Sequence, residues 1–386
     1  MVGLDLARAI AVVCVLQVHF GILALQVYGI PLPPVMAMVG SLGVELFFAL
    51  SGFLIGGLLL EVGERSPTVR GWLRFLVRRW MRTIPLYVLW IAVIIALAKP
   101  MGYQFRDPLA YLTFTQNLTR PIPVDGMFPV SWSLTIEEWF YLLFSAMLLG
   151  IASIRPRAAV LLSCSAFILL PLLLRFGLDH ATHAHEGVRT IAICRLDAIA
   201  YGTVLAFLFR NYPQKVLRLR FILLAAGLAL TSLAALLHPS VDPALTFTLY
   251  PLAMAMCLPA AAALASLPVK AEIAVRWLST RSYGLYLIHL TVIQVALAIG
   301  RIIHLPTMIA LSGALGGSLL AADLIHRYFE RPIMARRPRQ FPPSGRDRTL
   351  SSMLSALGRG IPALRPMPPK MPLRTDSSEN LVDLKM

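Results

Sequence analysis

Charge is scarce in this sequence. Asp, Glu, Lys and Arg make up 14% of its 386 residues, against roughly 25% in soluble globular domains, which excludes an ordinary water-soluble fold. Cysteine is scarcer still. The four, Cys14, Cys164, Cys194 and Cys257, all lie inside apolar runs and form no CxxC or other metal-ligand spacing, so neither a disulfide scaffold nor a metal centre is expected. No repeat of about 20–50 residues is visible. The two halves show no matched pair of broken apolar segments, which weakens an inverted-repeat transporter. The longest predicted loop, 99–130, is too short for an appended soluble domain.

What is present is hydrocarbon. Apolar residues make up 58% of the chain and the mean hydropathy is +0.73. Runs of about 20 residues, enough to cross about 30 Å of bilayer core as helix, recur at 4–27, 41–60, 83–98, 131–150, 158–175, 190–209, 220–237, 246–267, 283–300 and 305–326. They predict an all-α, polytopic membrane protein with about ten transmembrane helices. The first run sits where a signal peptide would, but it lacks a basic n-region. It also carries Asp5, Arg8, Gln17 and His19 where an h-region is apolar, so it reads as a retained helix.

A net charge of +16 raises the question of nucleic acid, and the distribution of the cations answers it. If the N-terminus is cytoplasmic, the inner loops 61–82, 151–157, 210–220 and 268–282 hold fifteen Lys and Arg, whereas all the outer loops together hold five. That asymmetry follows the positive-inside rule and places both termini in the cytoplasm, with no nucleic-acid partner expected. Twelve more follow from Arg327 onward. The chain therefore divides into a membrane domain over 1–332 and a basic, Pro-rich tail over 333–386, expected to be disordered and to lie against anionic membrane lipid. The stretch 66–82, SPTVRGWLRFLVRRWMR, is expected to lie along the inner surface before Thr83-Ile84-Pro85 turns it upward.

Three basic residues remain inside spans: Arg8, Arg175 and Arg195. Arg175, at a span end, is expected to snorkel. The acidic residues within spans are Asp5, Glu45, Glu137, Glu138, Asp197 and Asp323. An ionisable group at mid-membrane costs about 3 kcal/mol or more, so a cluster of them is read as functional. From the deduced orientation, His19, Glu45, Glu137, Glu138, Arg195 and Asp197 all fall in the outer half of the membrane. A histidine, carboxylates and an arginine at one height, on four spans, suggest an active site. Arg8 and His19 are eleven residues apart, which returns to within about 20° of the same helix face and predicts that both line one cavity. Asp5 is placed to pair with Arg8. Arg195 and Asp197 point to different sides and need partners on other helices, so they are candidates for lining a substrate site. The loop histidines His180, His183 and His185 have ligand-like spacing but no carboxylate pattern beside them, and read as solvated.

These residues sit in stretches that, taken in order, resemble the acyltransferase 3 family of bacterial integral-membrane O-acyltransferases: LDLARAIAVVCVLQVH with its Arg-x10-His, GVELFFALSGFLIG, RFLVRRWMRTIPLY with its Arg-x-x-Arg, WSLTIEEWFYLLF, CRLDAIAYG, SYGLYLIHL and YFERP. The resemblance runs from Leu4 to about Pro332. Glu45 stands where the family often has Asp. In some relatives the last helix leads into an extracytoplasmic hydrolase-like domain, where this sequence has its basic tail.

The resemblance implies a multi-pass protein of the bacterial cytoplasmic membrane. It would move an acyl group, commonly acetyl, from cytoplasmic acyl-CoA to a hydroxyl of a carbohydrate-containing acceptor such as a surface polysaccharide, oligosaccharide or glycolipid. Acyl-CoA would be a donor substrate, with no permanently bound cofactor and no metal. In that setting Arg78, Arg79 and Arg82 would bind the CoA phosphates by charge-assisted hydrogen bonds, and Arg8 would hold the donor lower in the same cavity. His19 would take the acceptor's proton, or carry the acyl group itself. Glu137 by the motif, or Glu45 by depth, would orient the imidazole. Ser51 and Gly52 would line the site, although SGFLIGG also reads as small residues packing one helix closely on another. Only one of Glu137 and Glu138 can face the site, and Asp323, His326 and Glu330 read as a cap at the cytoplasmic end. Two other classes stay open: a proton-coupled transporter with His19, Glu45 and Glu137 as the relay, and a non-catalytic partner in polysaccharide export.

Overall fold

The computed structural model describes residues 1–102, 104–105, 107–122, 128–182, 187–237 and 243–340. Most of the basic tail, 341–386, therefore lies outside the described residues, as do His183, His185 and the side chain of His180. Among the described residues every regular element is helical. This is the solution a bilayer imposes, since a helix bonds its own N–H and C=O groups where no water is available.

In chain order the helices are α1 (Val2–Val27), α2 (Pro34–Arg65), α3 (Val69–Ala98), the short α4 (Pro108–Leu112), α5 (Ser131–Ile154), α6 (Pro156–Thr182), α7 (Asp197–Asn211), α8 (Pro213–Arg218), α9 (Arg220–Leu237), α10 (Pro243–Ala263), α11 (Val269–Ile302) and α12 (Thr307–Ile325). A π-helical turn, His326–Glu330, then leads into α13 (Arg331–Ala335). Among the described residues, eight helical stretches are long and apolar enough to cross a membrane: α1, α2, α3, α5, α6, α10, α11 and the run from α12 through α13.

The other two expected spans are shorter. In α9 the apolar stretch is Arg220–Leu236. The 190–209 run does not form one helix; 3₁₀ turns at Gly187–Thr190 and Ala192–Cys194 precede α7. The cause is backbone bonding to a loop. Ala192 N–H donates to the Asn117 carbonyl at 2.8 Å and Ile193 N–H to the Leu118 carbonyl at 3.2 Å. Asn117 Nδ2 donates to the Thr190 carbonyl at 2.6 Å. Groups engaged this way cannot join a helical ladder, and α7 is left with 15 residues.

The expected turn at Thr83-Ile84-Pro85 is absent. α3 runs unbroken from Val69 to Ala98 with Pro85 inside it. Proline removes one N–H but its fixed φ suits a helix, and Thr83 is held from two sides: its hydroxyl donates to Glu138 Oε1 at 2.8 Å and its carbonyl accepts from Tyr283 Oη at 2.7 Å. At the start of α3, Thr68 caps Gly71 N–H at 3.1 Å. The first tail residues return to this helix, where Arg74 donates to the Gln340 carbonyl at 3.1 Å and Arg78 to the Pro338 carbonyl.

Two packings position the site. α2 and α7 cross with almost no gap: a Cβ on Gly52 would lie 2.0 Å from the Ile199 carbonyl oxygen, and one on Gly202 2.2 Å from that of Ala49. α1 and α11 run side by side in the same direction. Near the start of α1, Arg8 donates to Ser279 Oγ at 3.1 Å and Ser279 donates to Asp5 at 2.8 Å. Further along, His289 Nε2 lies 3.0 Å from His19 Nδ1. The steps from Arg8 to His19 and from Ser279 to His289 both cover about 15–17 Å of helix, so the two polar contacts are in register.

Candidate active site

Between these helices lies a cavity of about 130 Å³, walled by α1, α2, α3, α5 and α11. Its polar lining is Arg8, Ser51, Arg79, Arg82, Ser133, Glu137, Ser282, Tyr283 and Tyr286; Val44, Phe47, Phe48, Leu50, Leu54, Ile55 and Leu134 supply the apolar wall. Three guanidiniums face one carboxylate, so the cavity is built for an anionic ligand with an apolar portion.

The carboxylate is not free. Arg79 donates to Glu137 Oε2 and to Tyr141 Oη, both at 2.7 Å, with its guanidinium 4.3 Å above the Tyr141 ring. Tyr141 Oη donates to the same Oε2 at 2.8 Å. Ser51 Oγ lies 3.2 Å from Tyr141 Oη and 3.5 Å from Glu137 Oε1, closing a ring of four side chains from α2, α3 and α5. Glu138, one residue on, faces Thr83 instead of the cavity. Arg82 differs from Arg79: it lines the cavity yet makes no hydrogen bond or ion pair with another described residue. Arg78 turns away to the carbonyl of Pro338. Of the three arginines expected to meet one ligand, two reach the cavity.

Gly52 does not line it either; its missing side chain is what lets α7 approach. Glu45, Arg195 and Asp197 stand apart in a fully buried charge cluster. Arg195 closes on Glu45 Oε1, donates to the Phe247 carbonyl at 3.0 Å, and sits 4.9 Å over the Phe247 ring. Asp197 takes a two-pronged pair from Arg175, NH1 to Oδ1 at 2.8 Å and NH2 to Oδ2 at 2.7 Å. Arg175 also donates to Thr248 Oγ1 at 2.6 Å. Arg175 thus does not snorkel: its relative exposure is 0%, because a bidentate carboxylate on a neighbouring helix satisfies the guanidinium better than a stretch to the interface.

His19 is not among the residues walling the cavity, and the expected carboxylate is not beside it. Glu45 is held by Arg195 and Glu137 by Arg79; the ring next to His19 belongs to His289, with centroids 4.9 Å apart. His289 lies one helical turn beyond the cavity-lining Tyr286, whose ring centre is 6.3 Å away. From the sequence alone His289 falls in the inner half of the membrane and reads as structural or as lining the CoA route; the structure sets it against His19 instead, although the spacing 279, 282, 286, 289 already puts Ser279, Ser282, Tyr286 and His289 on one face of α11. Arg189 is a second group that the sequence motifs do not single out. Its guanidinium stacks 5.2 Å from the centre of the Trp132 ring and acts electrostatically on His19.

A family model described as an acyltransferase domain matches residues 1–327 of this chain. The chain is 29% identical over 230 residues to the O-acetyltransferase OatA of Staphylococcus aureus, covering 55% of this chain and 35% of that protein. It is 25% identical over 385 residues to the peptidoglycan O-acetyltransferase OatA of Listeria monocytogenes, covering 86% and 55%. The chain thus spans about a third to a little over half the length of these curated relatives. No solved structure matches.

Proposed function

The chain belongs to the acyltransferase family, and on that premise we propose that it is a membrane O-acyltransferase moving an acetyl group from acetyl-CoA to a hydroxyl of a cell-envelope carbohydrate. Both termini are taken to be cytoplasmic, with the protein in the bacterial cytoplasmic membrane, so donor enters near Arg8 and acceptor meets it near His19. The observation that carries this reading is the gradient along one helix pair: the Arg8, Arg79 and Arg82 cavity at one level, and an imidazole pair one turn beyond its Tyr286 wall.

Arg82, the cavity guanidinium with no hydrogen bond or ion pair to another described residue, is the foremost group for an anionic part of the donor, with Arg8 beside it. Arg79 positions Glu137 and Tyr141 and so fixes the wall. In the transfer, the acceptor oxygen attacks the thioester carbon while His19 takes its proton. The tetrahedral adduct then collapses, the C–S bond breaks, and the leaving thiolate recovers that proton from the imidazolium. The acetyl group and the acceptor are suggested by the names of the relatives in Staphylococcus and Listeria.

The transporter alternative needs His19, Glu45 and Glu137 in one relay. Their hydrogen bonds run to three different partners, His289, Arg195 and Arg79. The test is transfer from radiolabelled acetyl-CoA to envelope polysaccharide in membranes containing the full chain. Label should appear with the wild type and vanish with His19→Ala at equal protein level. Unchanged labelling in His19→Ala, or no acetyl-CoA consumption by the wild type, would overturn the assignment.

A further inference from the structure

His289 is wholly buried on α11, and its Nδ1 lies 3.0 Å from the carbonyl oxygen of Leu285, one turn back on the same helix. A carbonyl oxygen only accepts, so Nδ1 carries a hydrogen. A neutral imidazole has a single N–H, which leaves Nε2 of His289 as an acceptor. That atom is 3.0 Å from Nδ1 of His19. His19 must therefore hold its own hydrogen on Nδ1, and its Nε2 carries the bare lone pair.

The opposite arrangement would need an imidazolium at His289, donating from both nitrogens. A buried cation wants a carboxylate. The two nearest in role, Glu45 and Glu137, are bound to Arg195 and Arg79, and the charged group that acts on His19 is a cation, Arg189. No compensating anion for such a species is found among the described residues facing this pair.

We propose that His289 is a positioning residue: it fixes the tautomer and ring orientation of His19, doing without charge what a carboxylate does in a Ser-His-Asp triad. This rests on the reading of His19 as the base. When Nε2 of His19 takes the proton of the acceptor hydroxyl, the Nδ1–H···Nε2 bond to His289 becomes charge-assisted, so it strengthens as the transition state forms. Leu285 anchors the far side of the second ring, and the register of α1 on α11 keeps the two rings opposed.

The experiment uses the full chain in lipid nanodiscs with three variants, His19→Ala, His289→Leu and His289→Gln. A glutamine amide oxygen can occupy the place of the acceptor nitrogen; leucine cannot accept. We expect His289→Leu to lower kcat by about 100-fold, within the range of general-base contributions, with KM for acetyl-CoA changed by less than about threefold. His289→Gln should recover most of the loss. In ¹⁵N-histidine spectra of the wild type, His19 should show a protonated Nδ1 and a bare Nε2, and His289→Leu should mix in the other tautomer. An Nε2–H tautomer in the wild type, or full kcat in His289→Leu while His19→Ala is dead, overturns the positioning role and leaves the base intact. Full activity in His19→Ala overturns the base itself. If the leucine variant does not fold, the wild-type spectrum and the glutamine variant still decide.

Discussion

Glu45 of α2 and Arg195 of the turn before α7, 150 residues apart, close on each other in the interior with Arg195 wholly shielded from solvent. The pair ties the irregular 187–196 segment to the bundle; Arg175 of α6 holds the same segment at the Cys194 carbonyl and the start of α7 at Asp197.

Removing one member leaves a buried charge uncompensated. Glu45→Ala or Arg195→Ala should each destabilise the protein by about 3–5 kcal/mol, whereas Glu45→Met combined with Arg195→Met should recover most of that loss. Thermal unfolding in detergent, with the three variants side by side, measures this. A loss in the double variant as large as the two single losses added together would show that the pair is not coupled.

The arginines of the Arg-x-x-Arg stretch should separate kinetically. Arg82→Ala removes a cavity cation and should raise KM for acetyl-CoA about 10- to 100-fold, the equivalent of about 1.5–3 kcal/mol. Arg78→Ala, which loses only a bond to the Pro338 carbonyl, should leave KM within about twofold. Steady-state kinetics on both variants check the split, and the reverse ranking would move the donor site off the cavity.

Ser51→Leu should plug the cavity from the α2 side. Leucine fills space beside Leu50 and Leu54 and displaces the hydroxyl that meets Tyr141 and Glu137. Overpacking costs about 1–3 kcal/mol, which the fold should survive while donor binding fails. Direct binding of acetyl-CoA to the folded variant, by calorimetry, is the measurement.

Gly52→Ala, one residue away, should behave in the opposite way. The added methyl meets the Ile199 carbonyl at 2.0 Å, so α2 and α7 must part. We expect a loss of folded protein on size-exclusion chromatography, with any remaining monodisperse fraction still binding acetyl-CoA. Neighbouring residues would thus separate site from scaffold.

The sequence carried the membrane class, the Asp5–Arg8 contact and the candidate cavity residues Arg8, Ser51, Arg79, Arg82 and Glu137. What it could not carry was azimuth. Helix rise places a residue by height, and His19, Glu45, Glu137, Arg195 and Asp197 were grouped on height alone. Packing divides them into separate clusters, because Glu45 and Glu137 meet different arginines. The break at 187–196 was hidden for a related reason: the Asn117 and Leu118 carbonyls that divert its backbone lie more than seventy residues earlier. Local hydrophobicity says nothing about such partners. His289 was nearer to being legible, since its helical face was set by spacing; only its opposite number on α1 was not.

The parallel docking of α1 on α11 has one more consequence. Contacts at Ser279 and His289 grip α1 at two points, and a slip of one turn, about 5.4 Å, would break both at once. Loops can breathe without altering this distance, for it is stored in the rise of two helices instead of in their connections. On the proposed reading, the helix pair acts as a gauge, setting how far the reacting end of a donor held at its charged end must project to come under the imidazole.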